Sequence, residues 1–387
     1  MHIAWMNTHG SLVGGAEHYV TMTARLFRGR TVRSTLLYDP NLPTSSPMLD
    51  AFDGAFPLVD IHTQIRDLKP DVVFAHQIRP ASAQRLARLP VPVVNFLHDH
   101  FLFCLRETKY TTIGMQTCNR TVSASACYPC LGFVQRLPKF PGFRLRTISD
   151  VISAQEAHKQ FSAIVVASQY MAEEAVAHGF DGARIHVVPL YAEAPTAKDS
   201  GRRDTAKVLY VGGVLRSKGV DVLLRSLRQT VLPVRLDIIG DGAWLTGARR
   251  FVDELGIQNR VNFLGRKPRH ELHEYYRRAT CLVVPSRWPE PFGLVGVEAM
   301  SHGTPVIATA VGGILEWLVP GQTGLAVPPN DPTALAAAID HLVGNPALAR
   351  VMGAYGRARH LERFLPEHHV ERLLGIFTSC LQQGAPS

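Results

Sequence analysis

The chain is predicted to be an α/β protein of two domains, and three observations predict it. Short apolar runs with strand character alternate with helical stretches through the first half. The alternation restarts after Pro195-Thr-Ala-Lys-Asp-Ser-Gly201, a polar stretch poor in bulky residues. The 387 residues, 46% hydrophobic and 19% charged, suffice for two cores of ordinary size.

In the first domain, residues 2–6 form the opening strand. The loop His9-Gly10-Ser11-Leu12-Val13-Gly14-Gly15 leads into a helix over 16–27. Gly14 and Gly15 let backbone approach a phosphate there, and the helix start adds its dipole. The spacing is not G-x-G-x-x-G, so a nicotinamide-binding reading fails. Strands follow at 34–38, 71–75 and 91–97, the last two running into His76 and into His98-Asp99. Ligands bind beyond the C-terminal ends of strands in parallel α/β sheets, so both histidines are candidates. A strand at 163–167, a helix at 170–178 and a strand at 185–189 close the domain.

The second domain opens with a strand at 207–211. Gly212-Gly213-Val214-Leu215-Arg216-Ser217-Lys218-Gly219 then forms a glycine-rich turn with two cations, entering a helix at 220–227. A lysine at a helix start is unfavourable without an anion, which makes Lys218 a phosphate candidate. Strands are predicted at 236–240, 261–265, 281–284, 304–309 and 325–327, and helices at 334–343, 346–360 and 367–381.

Val283–Ser301 carries the strongest chemistry. An apolar strand ends at Pro285, a loop follows, and a helix begins near Gly293, so free backbone N–H groups gather at one point and favour an anion. Glu290 and Glu298 bracket that point with seven residues between them. Pro291 and Gly293 break the helix between them, so the two cannot share one helix face. Spacing alone leaves open a solvated loop glutamate and a helix-surface glutamate.

Glu290-Pro291-Phe292-Gly293 and Glu298 resemble the E-x7-E signature of the retaining glycosyltransferases of family 4, which have the GT-B fold. The flanks match too: Pro285-Ser286, residues 303–308, and Val311-Gly312-Gly313-Ile314-Leu315-Glu316. The resemblance covers nearly the whole chain and is more specific in its second half. It implies two Rossmann-like domains facing each other across a cleft: an acceptor-side domain over 1–192, a nucleotide-sugar domain over 193–365, and a C-terminal helix, 366–387, crossing back to the first. It implies that Glu290 contacts the donor sugar, that Glu298 holds the ribose hydroxyls, and that amides at Phe292, Gly293 and Leu294 hold sugar and diphosphate. Lys218 matches the family's phosphate-binding lysine. Gly14 and Gly15 are implied to face the diphosphate across the cleft, with Gly212 and Gly213 also on the donor. Gly265 and Arg266 fall where the family holds the nucleobase. His98 matches a histidine that contacts the donor sugar near the acceptor; Asp99 is expected to orient it or bind acceptor, and His76 to serve the acceptor. The family usually has an arginine where this chain has Gly213, and Arg216 is expected to supply the missing guanidinium.

Six cysteines argue against disulfides if the chain is cytoplasmic. Cys104, Cys118, Cys127 and Cys130, the last two as C-x2-C, are predicted to hold a structural zinc. An iron–sulfur cluster and metal-free thiols are the alternatives. Part of the reason is that so long an irregular segment normally needs a staple. Cys281 and Cys380 are predicted core residues. The net charge of +9 suits nucleotide phosphates, anionic lipids or nucleic acid without choosing among them. Residues 136–146 interleave Arg136, Lys139, Arg144 and Arg146 with Phe140 and Phe143; this is either a membrane-surface patch meeting a lipid-linked acceptor or a basic loop capping the domain. No apolar run approaches about 18 residues, and the first residues lack a basic leader. A cytoplasmic location is expected, with peripheral contact at the inner face of the membrane as an option.

The resemblance thus implies retaining transfer of a sugar from a UDP-, GDP- or dTDP-sugar to a glycan or lipid-linked acceptor, in surface polysaccharide or glycoconjugate biosynthesis. No Asp-x-Asp pair is present, so catalysis is expected to need no metal or other cofactor. A natural-product glycosyltransferase is one alternative. A non-catalytic sugar-nucleotide-binding protein is another, suggested by Gly213. A nucleic-acid binder would leave the Glu290/Glu298 pair unexplained, and nucleic acid is not an expected partner.

Overall fold

The computed structural model describes residues 1–78, 80–111, 114–130, 132–136, 142–195 and 204–384, with backbone alone at 135, 136, 143 and 144. Contacts divide the chain into two units: Met1–Lys109, Asn119–Pro189 and Pro366–Ser387 form one, and Tyr110–Cys118 with Leu190–Leu365 form the other.

The first unit is built on a seven-stranded parallel sheet. Its strands are β1 (His2–Met6), β2 (Arg33–Tyr38), β3 (Gly54–Pro57), β4 (Val72–Ala75), β5 (Val93–Leu97), β8 (Ala163–Val166) and β9 (Ile185–Val187), in the order β3-β2-β1-β4-β5-β8-β9. A separate antiparallel hairpin pairs β6 (Val134–Arg136) with β7 (Phe143–Leu145). The Val-Val-Phe-Ala of β4 and the Ala-Ile-Val-Val of β8 are buried throughout. Both faces of a parallel sheet are covered, so its strands read as unbroken apolar runs. Trp5 anchors the core, with edge contacts to Phe27 (5.8 Å) and Phe74 (5.0 Å). The C-terminal helix Pro366–Gln383 buries Val370, Leu373, Phe377 and Cys380 along one stripe. Its Phe377 meets Phe74 at 5.0 Å.

The second unit repeats the plan. β10 (Lys207–Val211), β11 (Arg235–Ile239), β12 (Val261–Gly265), β13 (Cys281–Val284), β14 (Val306–Thr309) and β15 (Gly324–Val327) lie in the order β12-β11-β10-β13-β14-β15. Counted from its own first strand this is 3-2-1-4-5-6, the doubly wound Rossmann order. In each sheet the order reverses beside the first strand, between β1 and β4 and between β10 and β13. Loops leaving the C-terminal ends of those strands part there and leave a crevice.

The structure does not support the expected zinc site, while the absence of disulfides agrees with the sequence reading. No disulfide joins any of the six cysteines. Among the described residues no three or more His, Cys, Asp or Glu side chains are gathered as a metal site. Cys104, Cys127 and Cys130 belong to the first unit, whereas Cys118 lies in the strip 110–118 that folds with the second. That strip is tied by Thr117 Oγ1, which donates to the Arg287 carbonyl at 2.8 Å, and by Asn330 Nδ2, which donates to the Met115 carbonyl at 2.9 Å. The segment does have staples, and they are buried cations. Lys109, 1% exposed, pairs with Glu174 at 2.6 Å and donates to the Arg120 carbonyl at 2.9 Å. Arg146, 3% exposed, donates to the carbonyls of Phe101 (2.6 Å) and Cys104 (3.2 Å) and pairs with Glu107. Arg146 therefore belongs to the interior and not to a basic surface. Lys139 and Phe140 lie outside the described residues, as do the side chains of Arg136, Phe143 and Arg144 and linker positions 196–201. No described helix is long and apolar enough to cross a membrane.

Three histidines of the first unit are held neutral. Burial pushes His158 and His369 down to about 4, and burial followed by the neighbouring His369 pushes His98 to about 3. The unfolded chain binds these protons at an ordinary pKa near 6.5, so the stability involved is complete above about pH 6.5 and is lost as pH falls toward 4. Each histidine shifted from 6.5 to about 4 contributes a loss of about 3 kcal/mol at the acid end. Denaturant midpoints measured from pH 7 to 4 are expected to fall over that window, with a shallower fall in His158→Leu. An unchanged slope in that variant would show that His158 takes up its proton in the folded state.

Candidate functional site

In the second unit the site is built around Glu290, in the loop after β13. Its side chain is 9% exposed and accepts from Lys218 Nζ with both oxygens, at 2.7 and 2.8 Å. Ser286 Oγ also donates to Oε1. The Lys218 ammonium sits 4.4 Å above the Trp288 ring. Two glycines permit this approach. Gly219, at φ +70°, lies so close to β13 that a Cβ would stand 1.8 Å from the Pro285 carbonyl oxygen. Gly312, at φ +59°, would place a Cβ 2.4 Å from the Glu290 carbonyl oxygen, and the next amide, Gly313 N, donates to that oxygen at 2.6 Å. Behind the loop, buried Arg287 makes a two-pronged pair with Asp221 (2.7 and 2.8 Å) and donates to the Arg216 carbonyl at 3.0 Å. The glycine-rich turn and the Glu290 loop are thereby fixed to each other.

Glu298 lies within the helix Leu294–Ser301, which follows Gly293. It accepts from the Tyr276 hydroxyl at 2.7 Å and pairs with Arg269 at 2.5 Å. Burial, and then the Glu298 charge, raise the Tyr276 hydroxyl well above its ordinary pKa, so Tyr276 is a fixed donor. The helix start leaves the first amides, including Leu294, without intrahelical acceptors. Phe292 is buried and anchored through its carbonyl, which accepts from Trp317 Nε1 at 2.6 Å.

Other predicted residues sit at the same end of this sheet. The Tyr210 hydroxyl donates to the Gly213 carbonyl at 2.7 Å, fixing the turn that holds Gly212. Gly265, ending β12, accepts from Gly240 N at 2.9 Å, and Arg266 after it is exposed. Arg216 is exposed, with its guanidinium 5.2 Å over the Trp244 ring.

In the first unit, His76 and His98 meet: His76 Nδ1 and His98 Nε2 are 3.0 Å apart. His76 is 3% exposed and stacked on Trp5 at 5.3 Å, which puts it behind His98 and away from solvent. His98 is half-buried, stacked on Phe96 at 4.6 Å, and lines a hollow with Thr8, His9, Gln77, Asp99 and Glu107. Asp99 Oδ1 accepts from Phe101 N at 2.8 Å, and burial, then Glu107, raise its carboxyl above the usual range. Gly14 and Gly15 are exposed at the start of the helix Gly15–Arg28, where Glu17 accepts from Gly14 N at 2.9 Å.

Ser286, Trp288, Arg287, Asp221, Tyr276 and Arg269 were not among the residues the sequence assigned. Ser286 lies in the Pro285-Ser286 flank of the motif, which is the signal that points to it. Tyr276 and Arg269 lie on a helix, Arg269–Arg278, whose charge gave no sign that one face meets Glu298.

Two family models match the chain: Glycosyltransferase Family 4 over residues 13–190, and Glycosyl transferases group 1 over 193–359. The chain is 36% identical over 196 residues to D-inositol 3-phosphate glycosyltransferase 1 of Catenulispora acidiphila, covering 47% of this chain and 46% of that one. It is 34% identical over 252 residues to the D-inositol 3-phosphate glycosyltransferase of Mycobacterium bovis, covering 60% and 51%. The chain thus spans about half the length of the curated relatives it matches. Among solved structures, Anabaena HepE in complex with UDP superposes with a TM-score of 0.75 at 18% identity, over 98% of this chain and 100% of that one. Sucrose-phosphate synthase of Thermosynechococcus elongatus gives 0.74 at 23%, over 99% and 100%. At these identities the likeness establishes the fold, which is GT-B. With one glycosyltransferase model on each half and this fold beneath them, the chain belongs to the family 4 glycosyltransferases.

Proposed function

We propose that this glycosyltransferase moves a sugar from a nucleoside-diphosphate sugar to an acceptor hydroxyl with retention of anomeric configuration. The observation that carries the reading is the Lys218–Glu290–Ser286 cluster at the C-terminal end of β13, with Glu298 held by Tyr276 one helix turn into the next element. Such a cluster offers a cation and free helix-start amides to a diphosphate, and fixed carboxylates to sugar and ribose hydroxyls. HepE, a neighbour in fold, is known bound to UDP and to UDP-glucose, which supports trying a uridine nucleotide first.

Breaking the glycosyl–phosphate bond places charge on the departing diphosphate. Lys218, the amides at Leu294 and, on our reading, Arg216 stabilise it. A preorganised site makes such groups more effective than they are in water. Glu290 has both oxygens engaged by donors, so it is suited to orienting sugar hydroxyls and poorly suited to attack as a nucleophile; a front-face route through a short-lived oxocarbenium follows. Catalysis is proposed to proceed without metal, since the chain has no Asp-x-Asp pair. His98 and Asp99 are read as groups serving the sugar and the acceptor. A glycan or lipid-linked acceptor in surface polysaccharide or glycoconjugate synthesis is the proposed setting, carried by family analogy alone.

Thermal shifts against UDP-, GDP- and dTDP-sugars are expected to show stabilisation by one nucleotide class, about 2.7 kcal/mol at a hundred times Kd. Glu298→Ala is expected to weaken that binding by about 10- to 100-fold, the loss of one charge-assisted hydrogen bond. Equal binding by wild type and variant would place the ribose elsewhere. Lys218→Met is expected to lower kcat about 10²- to 10³-fold, with EDTA leaving wild-type turnover unchanged. Arg216→Ala, assayed beside it, removes Arg216 from the proposal if turnover does not change.

A further inference from the structure

The hollow beside β5 contains a histidine pair of which the proposed function uses one member. His98 Nε2 is taken up by His76 Nδ1 at 3.0 Å. His98 Nδ1 has no partner among the described residues and is not sealed from solvent. It is therefore the nitrogen available to a ligand. His76 is the fixed member. It is stacked between Trp5 (5.3 Å) and Phe96 (6.4 Å), Phe74 meets its edge at 4.3 Å, and its Nε2 is buried without a partner among the described residues.

A second set of rings against the pair is equally fixed. His369 Nδ1 lies 2.7 Å from the Pro189 carbonyl, an acceptor, so Nδ1 carries the proton. His369 Nε2 is then an acceptor, and the Tyr19 hydroxyl donates to it at 2.7 Å. Tyr19 so held presents its ring to His98 at 5.1 Å and to His76 at 5.9 Å. The His98 ring thus has aromatic neighbours in Phe96 and Tyr19 and a hydrogen bond from one direction only. Two neutral imidazoles share one proton across a 3.0 Å contact, so the tautomer of one fixes the tautomer of the other.

We propose that His76 is a positioning residue that holds His98 in one ring orientation and one neutral tautomer, leaving Nδ1 as the nitrogen offered to the bound sugar or acceptor. This rests on the reading of His98 as a ligand-contacting group, but it is tested without any ligand. Nitrogen NMR of the ¹⁵N-histidine-labelled full chain reads the tautomer of each imidazole directly. The His98 signals are identified among the 17 histidines by their loss in His98→Gln.

Wild type is expected to show His98 as a single tautomer at neutral pH. His76→Leu, which fills the apolar slot but offers no partner, is expected to show averaged nitrogen shifts for His98. His76→Asn, whose side-chain amide can stand where Nδ1 stood, is expected to restore the single form. Turnover of the sugar nucleotide found above should follow the same order, at least tenfold lower in His76→Leu and within a fewfold of wild type in His76→Asn. Beside His98→Gln, His76→Leu should add no further loss. An averaged His98 in wild type, or an unaltered single tautomer in His76→Leu, overturns the proposal; so do additive losses. A fixed tautomer in a chain that turns over no sugar nucleotide would instead overturn the functional reading and leave the pair intact.

Discussion

The second unit's site depends on one contact, the ion pair between Lys218 and Glu290. An ammonium at a helix start and a carboxylate 9% exposed in a tight loop are each unfavourable alone. Together they offset each other. Much of the surrounding sequence is what this contact requires. Gly219 and Gly312 have no Cβ because the Pro285 and Glu290 carbonyls occupy that space. Ser286 supplies the hydrogen bond that a single lysine leaves unmade, and Trp288 gives the ammonium an aromatic face. The Lys218 ammonium is thereby placed before any ligand arrives, and a preorganised charge is more effective than one that must be oriented.

Buried cations also answer the question raised by the cysteines. A long segment without regular structure must be closed by something, and metal is one answer. In this chain Lys109 and Arg146 close it by donating to backbone carbonyls as well as to a carboxylate each. A guanidinium has five donors and can tie several carbonyls that no helix or strand satisfies. Arg287 does the same in the second unit. The recurring device is a buried cation serving loop carbonyls.

The fold was legible because its signal is repetitive. Unbroken apolar runs such as Val-Val-Phe-Ala at β4 and Cys-Leu-Val-Val at β13 leave few readings, and the interval between them fits a crossover helix. The helices Leu245–Glu254 and Arg269–Arg278 were not anticipated, since arginine and glutamate mask their narrow apolar faces. Glu290 and Glu298 stood out as candidates because one contiguous motif carries them, and Lys218 because it ends a glycine-rich turn. Tyr276 was not, because its role is set by a partner 22 residues away. His76 and Arg146 show the opposite limit. Each reads as polar and accessible in a sequence, and burial is decided by neighbours such as Trp5 and Phe101 that no local pattern announces.

The two units also differ in the kind of recognition they favour. The second unit's candidate groups are charged: Lys218, Glu290, Glu298 and Arg269. In the first unit burial depresses His76 and His98, which leaves both uncharged at neutral pH, and it raises the Asp99 carboxyl. Desolvation suppresses the charged form of an acid and a base alike. The two imidazoles of the hollow are therefore hydrogen-bonding groups and not charges. His98, pushed down to about 3 by burial and then by His369, is an uncharged hydrogen-bonding group at neutral pH.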